Sequence, residues 1–322
     1  MITIAGAGVA GLATALELAR RGREVTVYEV GAGPNASSCS RFAGGMLAPW
    51  CEGESCDDSV VELGARAADW WAEVTTVIRR GTLVVAPRRD RAELAAFARR
   101  TTCHCAVSEA EVGRLEPDLA GRFSQGLFFQ DEAHLDPRKA LHDLTSEVKK
   151  LGVQVNYSAR APKEVDLDCT GIAAALPNLR PVRGEMAILH APDVEITRTI
   201  RLLHPRIPVY LVPRGDGIYM IGATMIESSS TRPVSVRSMV ELLGAAFTLH
   251  PGFGEASVLE TGVGLRPAFP DNRPQLTARN NTLFLNGLYR HGFLLAPAMA
   301  AKAADTLTSE HTDEHHRQRQ TA

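Results

Sequence analysis

Apolar and polar positions follow two different patterns over the first thirty residues. Residues 2–5 form a short apolar run with the length of a buried strand, and the next stretch repeats apolar residues with the period of a helix. Residues 24–28 are again mainly apolar and β-branched, which predicts a second strand. Strands that alternate with helices form parallel βαβ units, so this segment predicts a doubly wound α/β domain.

The same patterns continue to about residue 180 and return near the C-terminus. Ser108 and Glu111 have the spacing of a capping box, which predicts a helix start. Trp70 and Trp71 fall on a predicted helix, where we expect them to pack rather than bind a ligand. The expected helices are 60–79, 90–99, 137–150, 234–248 and 297–306, and the expected strands are 82–86, 153–156, 166–171 and 282–287.

The middle of the chain has a different pattern. Apolar runs at 185–189, 209–213 and 218–222 alternate with turn residues, and Arg-Gly-Asp-Gly at 214–217 predicts a hairpin. An antiparallel sheet inserted between βα units implies a discontinuous two-domain architecture. We expect a nucleotide-binding domain from residues 1–75, 134–180 and 257–308, a substrate domain from 76–133 and 181–256, and a polar, disordered tail at 309–322.

Composition and charge narrow the range of partners. The 322 residues are 45% hydrophobic and 22% charged, and the net charge is −2. This near-neutral balance gives no support for a nucleic-acid or anionic-membrane partner. The chain has no run of about eighteen apolar residues, so we expect no membrane span. Its first residues already form a predicted strand, so we expect no leader and a cytoplasmic location.

Six cysteines are present, and their spacing argues against a metal site. In a chain expected in the cytoplasm, free thiols are favoured over disulfides. Cys51 and Cys56, like Cys103 and Cys105, lack the C-x₂-C spacing that is typical of zinc sites. We therefore expect six free thiols and no metal ion.

The turn after the first strand has the sequence of a dinucleotide-binding site. Gly6 permits the tight turn, Gly8 lets the backbone approach a pyrophosphate, and Gly11 lets the helix pack closely on the sheet. Amides at the helix start, together with the helix dipole, favour phosphate groups. Glu29 ends the second strand, where its carboxylate can accept hydrogen bonds from ribose hydroxyls. Strand, turn, helix and acid together predict a bound dinucleotide.

A second motif, Gly-Leu-Tyr-Arg-His-Gly-Phe-Leu-Leu-Ala-Pro at 287–297, carries a family resemblance. With Glu29 and segments 5–11, 44–49, 134–137, 181–185 and 264–267, it resembles the D-amino-acid oxidase superfamily of flavoproteins, and within it the glycine oxidases linked to thiamine biosynthesis. The resemblance implies FAD and a GR2-type, Rossmann-like FAD-binding domain with an α+β substrate domain built on an antiparallel sheet. It also implies oxidation of glycine or another small amino acid to the imine and 2-oxo acid, with oxygen reduced to hydrogen peroxide.

The resemblance also implies a cofactor site, residue by residue. Val9 and Ala10 fall at the pyrophosphate turn, and Glu29 falls at the adenosine ribose. Residues 39–46 are expected to approach the diphosphate and the flavin, and 288–294 to surround the pyrimidine side of the ring. The full expected set is Gly6, Gly8, Val9, Ala10, Gly11, Glu29, Val30, Cys39, Ser40, Gly44, Gly45, Met46, Gly171, Gly287, Leu288, Tyr289, Arg290, His291, Gly292, Phe293 and Leu294.

Four residues match substrate-site positions of the same family. Arg266 and Arg290 match substrate-site arginines, and Tyr210 and Met225 match other positions of that pocket. A guanidinium suits an amino-acid carboxylate because its planar fork binds both oxygens and stays charged. We expect Arg266 to anchor the carboxylate, Tyr210 to donate its hydroxyl to it, and Met225 to limit the pocket volume. His291 stays outside the catalytic set.

Two features depart from the family pattern. Residues 157–166 are shorter than the corresponding excursion in relatives, so the adenine contact stays unassigned. Relatives that bind flavin covalently carry a cysteine in the C-terminal Gly-rich segment. None lies between Thr261 and Ala322, so we expect non-covalent FAD.

Three alternatives stay open at this point. The first is an FAD-dependent oxidase or dehydrogenase of a D-amino acid, an N-methyl amino acid or a protein-borne amine. The second is an NAD-dependent dehydrogenase, which segment 287–297 disfavours because it adds a flavin-side strand–helix junction. The third is a flavin-binding protein without turnover. The resemblance also suggests a homo-oligomer.

Overall fold

Two large sheets organise the chain in the computed structural model, which describes residues 1–34, 36, 38–203 and 209–320, with side chains through residue 309. No helix within those ranges is both long and apolar enough to span a membrane. The helices are α1 (Val9–Arg20), α2 (Pro49–Glu52), α3 (Asp58–Gly64), α4 (Ala67–Ala72), α5 (Arg91–Arg100), α6 (Glu109–Leu115), α7 (Pro137–Lys150), α8 (Val236–Leu249) and α9 (Gly292–Gln320). The strands are β1 (Ile2–Ala5), β2 (Val25–Tyr28), β3 (Met46–Leu47), β4 (Thr82–Val85), β5 (Cys105–Ser108), β6 (Gln125–Phe129), β7 (Ala133–His134), β8 (Gln154–Asn156), β9 (Leu167–Asp168), β10 (Arg180–His190), β11 (Thr199–Leu202), β12 (Val209–Gly215), β13 (Ile218–Gly222), β14 (Ile226–Glu227), β15 (Ser257–Ala268), β16 (Gln275–Arg279) and β17 (Thr282–Asn286).

The first sheet is the expected parallel one. Its six strands have the order β16-β17-β9-β1-β2-β8, and only the β16–β17 pair is antiparallel. β1 pairs in parallel with β2 and β9, which places Ala5 beside Tyr28 and Asp168. α1 packs against α7 and α9, and its Leu12 and Leu16 are fully buried in the core. The carboxyl ends of the central strands therefore meet at one edge, where open α/β sheets bind ligands.

The second sheet has nine strands and is mostly antiparallel. Its order is β14-β10-β13-β12-β11-β4-β6-β5, and β15 also pairs with β10. The β11–β4 pair is parallel. In the predicted hairpin between β12 and β13, Asp216 and Gly217 have left-handed φ values of 51° and 69°. α8 contributes Leu242 and Leu249 to a core shared with Leu211 of β12.

The predicted helix over 60–79 is wrong in extent. The structure has the two short helices α3 and α4 there, and the chain is not helical between α4 and β4. Gly64 ends α3 against α9, because a Cβ at this position would lie only 2.7 Å from Leu294. Trp71 of α4 packs in the core as expected and donates its indole N–H to the Phe293 carbonyl at 2.7 Å. Close packing on α9, which no local pattern reveals, sets these helix ends.

The last helix is longer than predicted at both ends. It begins at Gly292 rather than at residue 297, and it continues to Gln320 through the segment expected to be disordered. Pro297 lacks the amide that would bond to the Phe293 carbonyl, but Trp71 satisfies that carbonyl instead. No glycine or further proline follows Pro297, so the sequence contains no strong signal to stop the helix.

The longest strand, β15, is absent from the predicted elements. It pairs with β10 from Arg180 opposite Ala268 to His190 opposite Ser257. Much of its first half is exposed, which obscures the alternation of a half-buried strand. β15 therefore belongs to the nine-stranded sheet, although the expected nucleotide-binding domain includes residue 257 onward. The domain boundaries remain a proposal.

Candidate active site

A cavity of about 580 Å³ extends from the carboxyl edge of the six-stranded sheet to the nine-stranded sheet. All residues of the expected cofactor and substrate sets lie in the described part of the chain, and all but Gly11 and Gly287 line this cavity. The two sets come from segments that are far apart in the sequence. The fold therefore brings the expected cofactor and substrate residues into one space.

The glycine turn forms one end of the cavity. Gly6 has a φ of +97°, and a Cβ there would lie 2.7 Å from the Cys169 carbonyl oxygen. Gly11 does not face the cavity, because a Cβ there would lie 1.9 Å from the Gly6 oxygen. Gly8 is the N-cap of α1 and makes no side-chain cap hydrogen bond. Gly6 and Gly11 thus hold strand and helix together, while the helix start stays open to an anionic group.

Glu29 is held at the cavity wall by backbone amides. It is 9% exposed, and its carboxylate accepts hydrogen bonds from the amides of Ala7 at 2.9 Å and Gly31 at 2.8 Å. Ala159 and Ala161, from the shortened 157–166 segment, line the same end of the cavity. The sequence did not single out these alanines. Their small side chains leave room for a ring beside Glu29.

The N-termini of two helices line the cavity, and their separation tests whether a dinucleotide can bind along it. Gly8 and Val9 open α1 at one end, and Gly292 opens α9 near the other. Gly45 adds a close approach, since a Cβ there would lie 2.3 Å from the Leu135 carbonyl oxygen. A helix start supplies free amides and a positive dipole end to phosphate or ring oxygens. The residues present therefore fit a dinucleotide that spans both helix starts.

Gly184 and Gly264 lie opposite each other on β10 and β15 and form a glycine floor at the substrate end of the cavity. Directly opposite residues share one face of an antiparallel sheet. Tyr210 lies opposite Gly222, Gly222 opposite Met186, and Met186 opposite Gly262. Arg266 is four residues after Gly262 on β15, so it shares this face with Tyr210.

Arg266 lies flat on this floor. A Cβ on Gly184 would meet the Arg266 guanidinium carbon at 2.4 Å, so only glycine leaves room for that side chain. Nη1 of Arg266 donates to the Thr224 carbonyl at 2.9 Å. Within the described residues, no carboxylate lies within 4.0 Å of Arg266. Similarly, the Tyr210 ring covers Gly44, where a Cβ would lie 2.6 Å from it.

Arg290 has different surroundings. Its Nη2 donates to Glu52 Oε2 at 2.6 Å, and its Nε lies 3.1 Å from His291 Nε2. Nη1 lies 3.7 Å from the sulfur of Met225. Arg201 approaches the other Glu52 oxygen at 3.4 Å. Arg290 is therefore an ion-paired member of a charge cluster.

The charges of this cluster stabilise one another. Burial raises the pKa of Glu52, but Arg290, His291 and Arg201 lower it by more, so it lies well below its ordinary range. Burial lowers the pKa of His291, but Glu52 and Cys56 raise it by more, so it lies above its ordinary value. The ring nitrogen Nε2 of His291 is 2.8 Å from Glu52 Oε2. Glu52 is therefore a carboxylate, and its charge favours an imidazolium at His291.

Sequence reasoning missed Glu52, Cys56 and Arg201. Cys56 Sγ lies 3.5 Å from His291 Nε2, which links α2–α3 to the segment before α9. One ligand atom each from Glu52, Cys56 and His291 lies within 4.8 Å of the others. Guanidinium groups already engage both Glu52 oxygens, which works against a cation at this place. All six cysteines are free, as predicted.

The fold and the cavity define a dinucleotide-binding α/β protein with a cationic pocket. The chain matches the family model DAO, described as FAD dependent oxidoreductase, over residues 1–306. It therefore belongs to this family of FAD-dependent oxidoreductases, its cofactor is FAD, and the expected family and fold class are confirmed. When bound in the cavity, FAD would lie along Glu29, the start of α1 and the start of α9.

Individual relatives agree with this assignment. A putative thiamine biosynthesis oxidoreductase ThiO from Rhizobium etli is 51% identical over 317 residues, which cover 96% of this chain and 97% of the relative. A glycine oxidase from Bacillus licheniformis is 25% identical over 348 residues, covering 94% and 92%. The crystal structure of glycine oxidase from Geobacillus kaustophilus has a TM-score of 0.80 at 22% identity, covering 96% and 94%.

Proposed function

We propose that the chain oxidises glycine or another small amino acid to the imine, which hydrolyses to the 2-oxo acid, and reduces oxygen to hydrogen peroxide. The observation that carries this proposal is Arg266. It is a cavity-lining guanidinium without a carboxylate partner among the described residues, and it shares a sheet face with Tyr210. The name of the Bacillus licheniformis relative, a glycine oxidase, supports the same substrate class, and the name of the Rhizobium etli relative supports an oxidoreductase.

In this proposal Arg266 binds the substrate carboxylate through its planar fork. Its Nη1 is held by the Thr224 carbonyl, which fixes the guanidinium plane before substrate arrives. The Tyr210 hydroxyl donates a further hydrogen bond to the same carboxylate. Holding the substrate in one orientation can contribute several kcal/mol to catalysis, up to about 11 kcal/mol.

Met225 limits the size of the substrate. Its sulfur accepts from the Tyr289 hydroxyl at 3.4 Å and lies close to Arg290. The thioether is thereby held at the cavity wall, where it leaves little room for a side chain on the substrate. Bound FAD would supply the two-electron redox chemistry of the reaction. The surrounding residues therefore have to orient the substrate, and no strong base is required of them.

FAD is held without a covalent bond in this proposal. The segment 287–297 contains no cysteine, and the two cysteines that line the cavity are Cys39 and Cys169. Burial raises the pKa of both thiols, which keeps them protonated and poorly nucleophilic. Acid precipitation of the yellow protein should release all flavin into the supernatant.

The test is anaerobic reduction of the purified, flavin-loaded protein. Glycine should bleach the absorbance near ~450 nm, and a peroxide-coupled assay in air should then detect turnover. D-Alanine, sarcosine, iminodiacetate and methylamine form the comparison series. Bleaching by methylamine but by none of the carboxylate-bearing amines would overturn the proposal. Colour that no amine bleaches would indicate a flavin protein without this turnover.

A further inference from the structure

Cys56 occupies an unusual position in the Glu52 cluster. Its sulfur lies 3.5 Å from His291 Nε2, 3.7 Å from Arg290 Nη2 and 3.8 Å from Glu52 Oε2. As a thiol it can donate to Glu52, and as a thiolate it can accept from Arg290 and His291. Two nitrogen donors and one carboxylate therefore compete for one sulfur.

The two cationic neighbours favour the thiolate form of Cys56. Burial and the Glu52 carboxylate raise the pKa of Cys56, but His291 and Arg290 lower it by more, so it lies below its ordinary value. Cys51, five residues earlier, shows the opposite behaviour. It is fully buried, and burial together with Glu132 raises its pKa well above the ordinary value. The difference follows from the cationic neighbours, which Cys56 has at contact distance.

Cys56 is also accessible. It lines a second cavity of about 240 Å³, and Met225, Tyr289 and Arg290 line both this cavity and the main one. The cavity that Cys56 lines therefore shares these three wall residues with the space in which substrate is expected to react. A small neutral molecule needs to cross only the Met225–Tyr289–Arg290 wall to reach the sulfur.

We propose that Cys56 is a modification site, a thiolate that hydrogen peroxide oxidises to a sulfenic acid while His291 supplies the proton. The Cys56 sulfur attacks one peroxide oxygen, the S–O bond forms and the O–O bond breaks. The second oxygen leaves as hydroxide and takes the imidazolium proton of His291, which yields water. Sulfur loses two electrons and peroxide gains them. The endogenous source of peroxide rests on the proposed function, whereas the reactivity of the site does not.

Oxidation should alter Arg290. The new oxygen stands beside Arg290 Nη2 and competes with Glu52 for it, which rearranges the cluster at the cavity wall. Turnover should therefore slow as Cys56 is oxidised, and thiol reductants should restore it, since a sulfenic acid is reversible. The product of the enzyme would in this way limit its own rate of formation.

The first experiment treats the flavin-loaded enzyme with added hydrogen peroxide and traps sulfenic acids with a dimedone probe, located by peptide mass spectrometry. Cys103 and Cys105 are exposed thiols in the same molecule and serve as controls. Cys56 should be labelled at least about 10-fold faster than either, because only the thiolate reacts. Equal or slower labelling of Cys56 would overturn the proposal.

The second experiment measures the rate of iodoacetamide alkylation of Cys56 against pH. The midpoint in the wild-type enzyme should lie below that of Cys103, and His291→Asn should move it upward by about one pH unit or more. An unchanged midpoint in a folded His291→Asn variant contradicts the proposal. The comparison with Cys103 needs no variant, so it decides the matter even if that variant does not fold.

A third arm separates this proposal from the proposed function. The enzyme is incubated with glycine and oxygen, with and without catalase, and the same label is measured. Labelling that catalase suppresses supports both proposals. Labelling by added peroxide but not by glycine leaves the thiol site in place and counts against the oxidase activity. Activity loss that persists in Cys56→Ser excludes Cys56 as its cause and overturns the regulatory effect.

Discussion

Arg266 and Arg290 both line the main cavity, and they differ in their ionic partners. Arg266 lies on a floor of glycines and is fixed by a backbone carbonyl, with no carboxylate near it among the described residues. Arg290 is fixed by the carboxylate of Glu52, which Arg201 and His291 also approach. The first arginine keeps its charge available, whereas the second has it balanced by the protein.

The difference favours different roles for the two arginines. An incoming carboxylate gains most at a cation that no other anion already holds, and for this reason we propose Arg266 as the substrate anchor. Arg290 contributes to a cluster whose charges depend on one another, and any anion there would compete with Glu52. Residue type alone therefore does not identify the substrate anchor. Its partners do.

Of the changes that test this comparison, removing Arg266 should have the largest effect, on kcat/KM for glycine. Arg266→Ala should lower kcat/KM for glycine by about 100-fold or more, roughly 3 kcal/mol, chiefly through KM. Arg266→Lys should recover part of the loss, since it keeps the charge without the fork. Steady-state peroxide assays measure both. Arg279→Ala, at an exposed position, is the matched control and should change little. A wild-type KM in Arg266→Ala would contradict the anchor role.

Removing Glu52 should have the next largest effect, on stability. Glu52→Gln leaves Arg290, Arg201 and His291 without their shared counter-charge, and the free energy of unfolding should fall by about 3 kcal/mol. Urea denaturation of the flavin-loaded protein measures it. The exposed Glu24→Gln is the control, with an expected change within about 0.5 kcal/mol. Equal stability of the two variants would show that the cluster adds nothing to folding.

Removing the Tyr210 hydroxyl should have a smaller effect on substrate binding. Tyr210→Phe keeps the ring that packs over Gly44, so the cavity wall stays in place. KM for glycine should rise by about five-fold, near 1 kcal/mol, because a single hydrogen bond is lost. Unchanged flavin content checks the fold of the variant. If KM stays at the wild-type value, the tyrosine is a packing residue only.

The smallest expected effect is a pH dependence of the stability that Glu52 contributes to the folded protein. The pKa of Glu52 is lowered by folding. Its contribution to the free energy of unfolding is therefore complete above pH 4.5, the ordinary pKa of a glutamate, and is lost as pH falls through the folded-state pKa. The pKa of His291 is raised by folding. Its contribution to the free energy of unfolding is therefore complete below pH 6.5, the ordinary pKa of a histidine, and is lost as pH rises through the folded-state pKa. The stability difference between wild type and Glu52→Gln should therefore peak between these two values. A flat difference from pH 4 to 9 would contradict the coupling.

Local chemistry made much of the cofactor end predictable. Gly6, Gly8 and Gly11 act within one turn and one helix, and Glu29 follows directly on the paired strand, so their spacing alone specifies the arrangement. The motif at 287–297 likewise combines a turn with a helix start. The family match over residues 1–306 confirms the flavoprotein class that these two segments indicated.

The substrate end was predictable only in part. Arg266 and Tyr210 were expected at the pocket from the family resemblance, but the glycine floor that places them on one sheet face comes from pairing among four strands. β15, which carries Arg266, was not expected as a strand. Glu52, in a four-residue helix, carries no local signal that ties it to Arg290, 238 residues away.

By itself, the sequence determined the βαβ unit, its glycine turn and its acid, because these depend on residues that are close along the chain. The cofactor class followed from the family resemblance of several short motifs. Only the tertiary structure decided which arginine is paired, where α9 begins, and that Cys56 meets His291. Those features arise from contacts between distant segments. Charge balance and packing at such contacts depend on three-dimensional distance, which spacing along the chain does not encode.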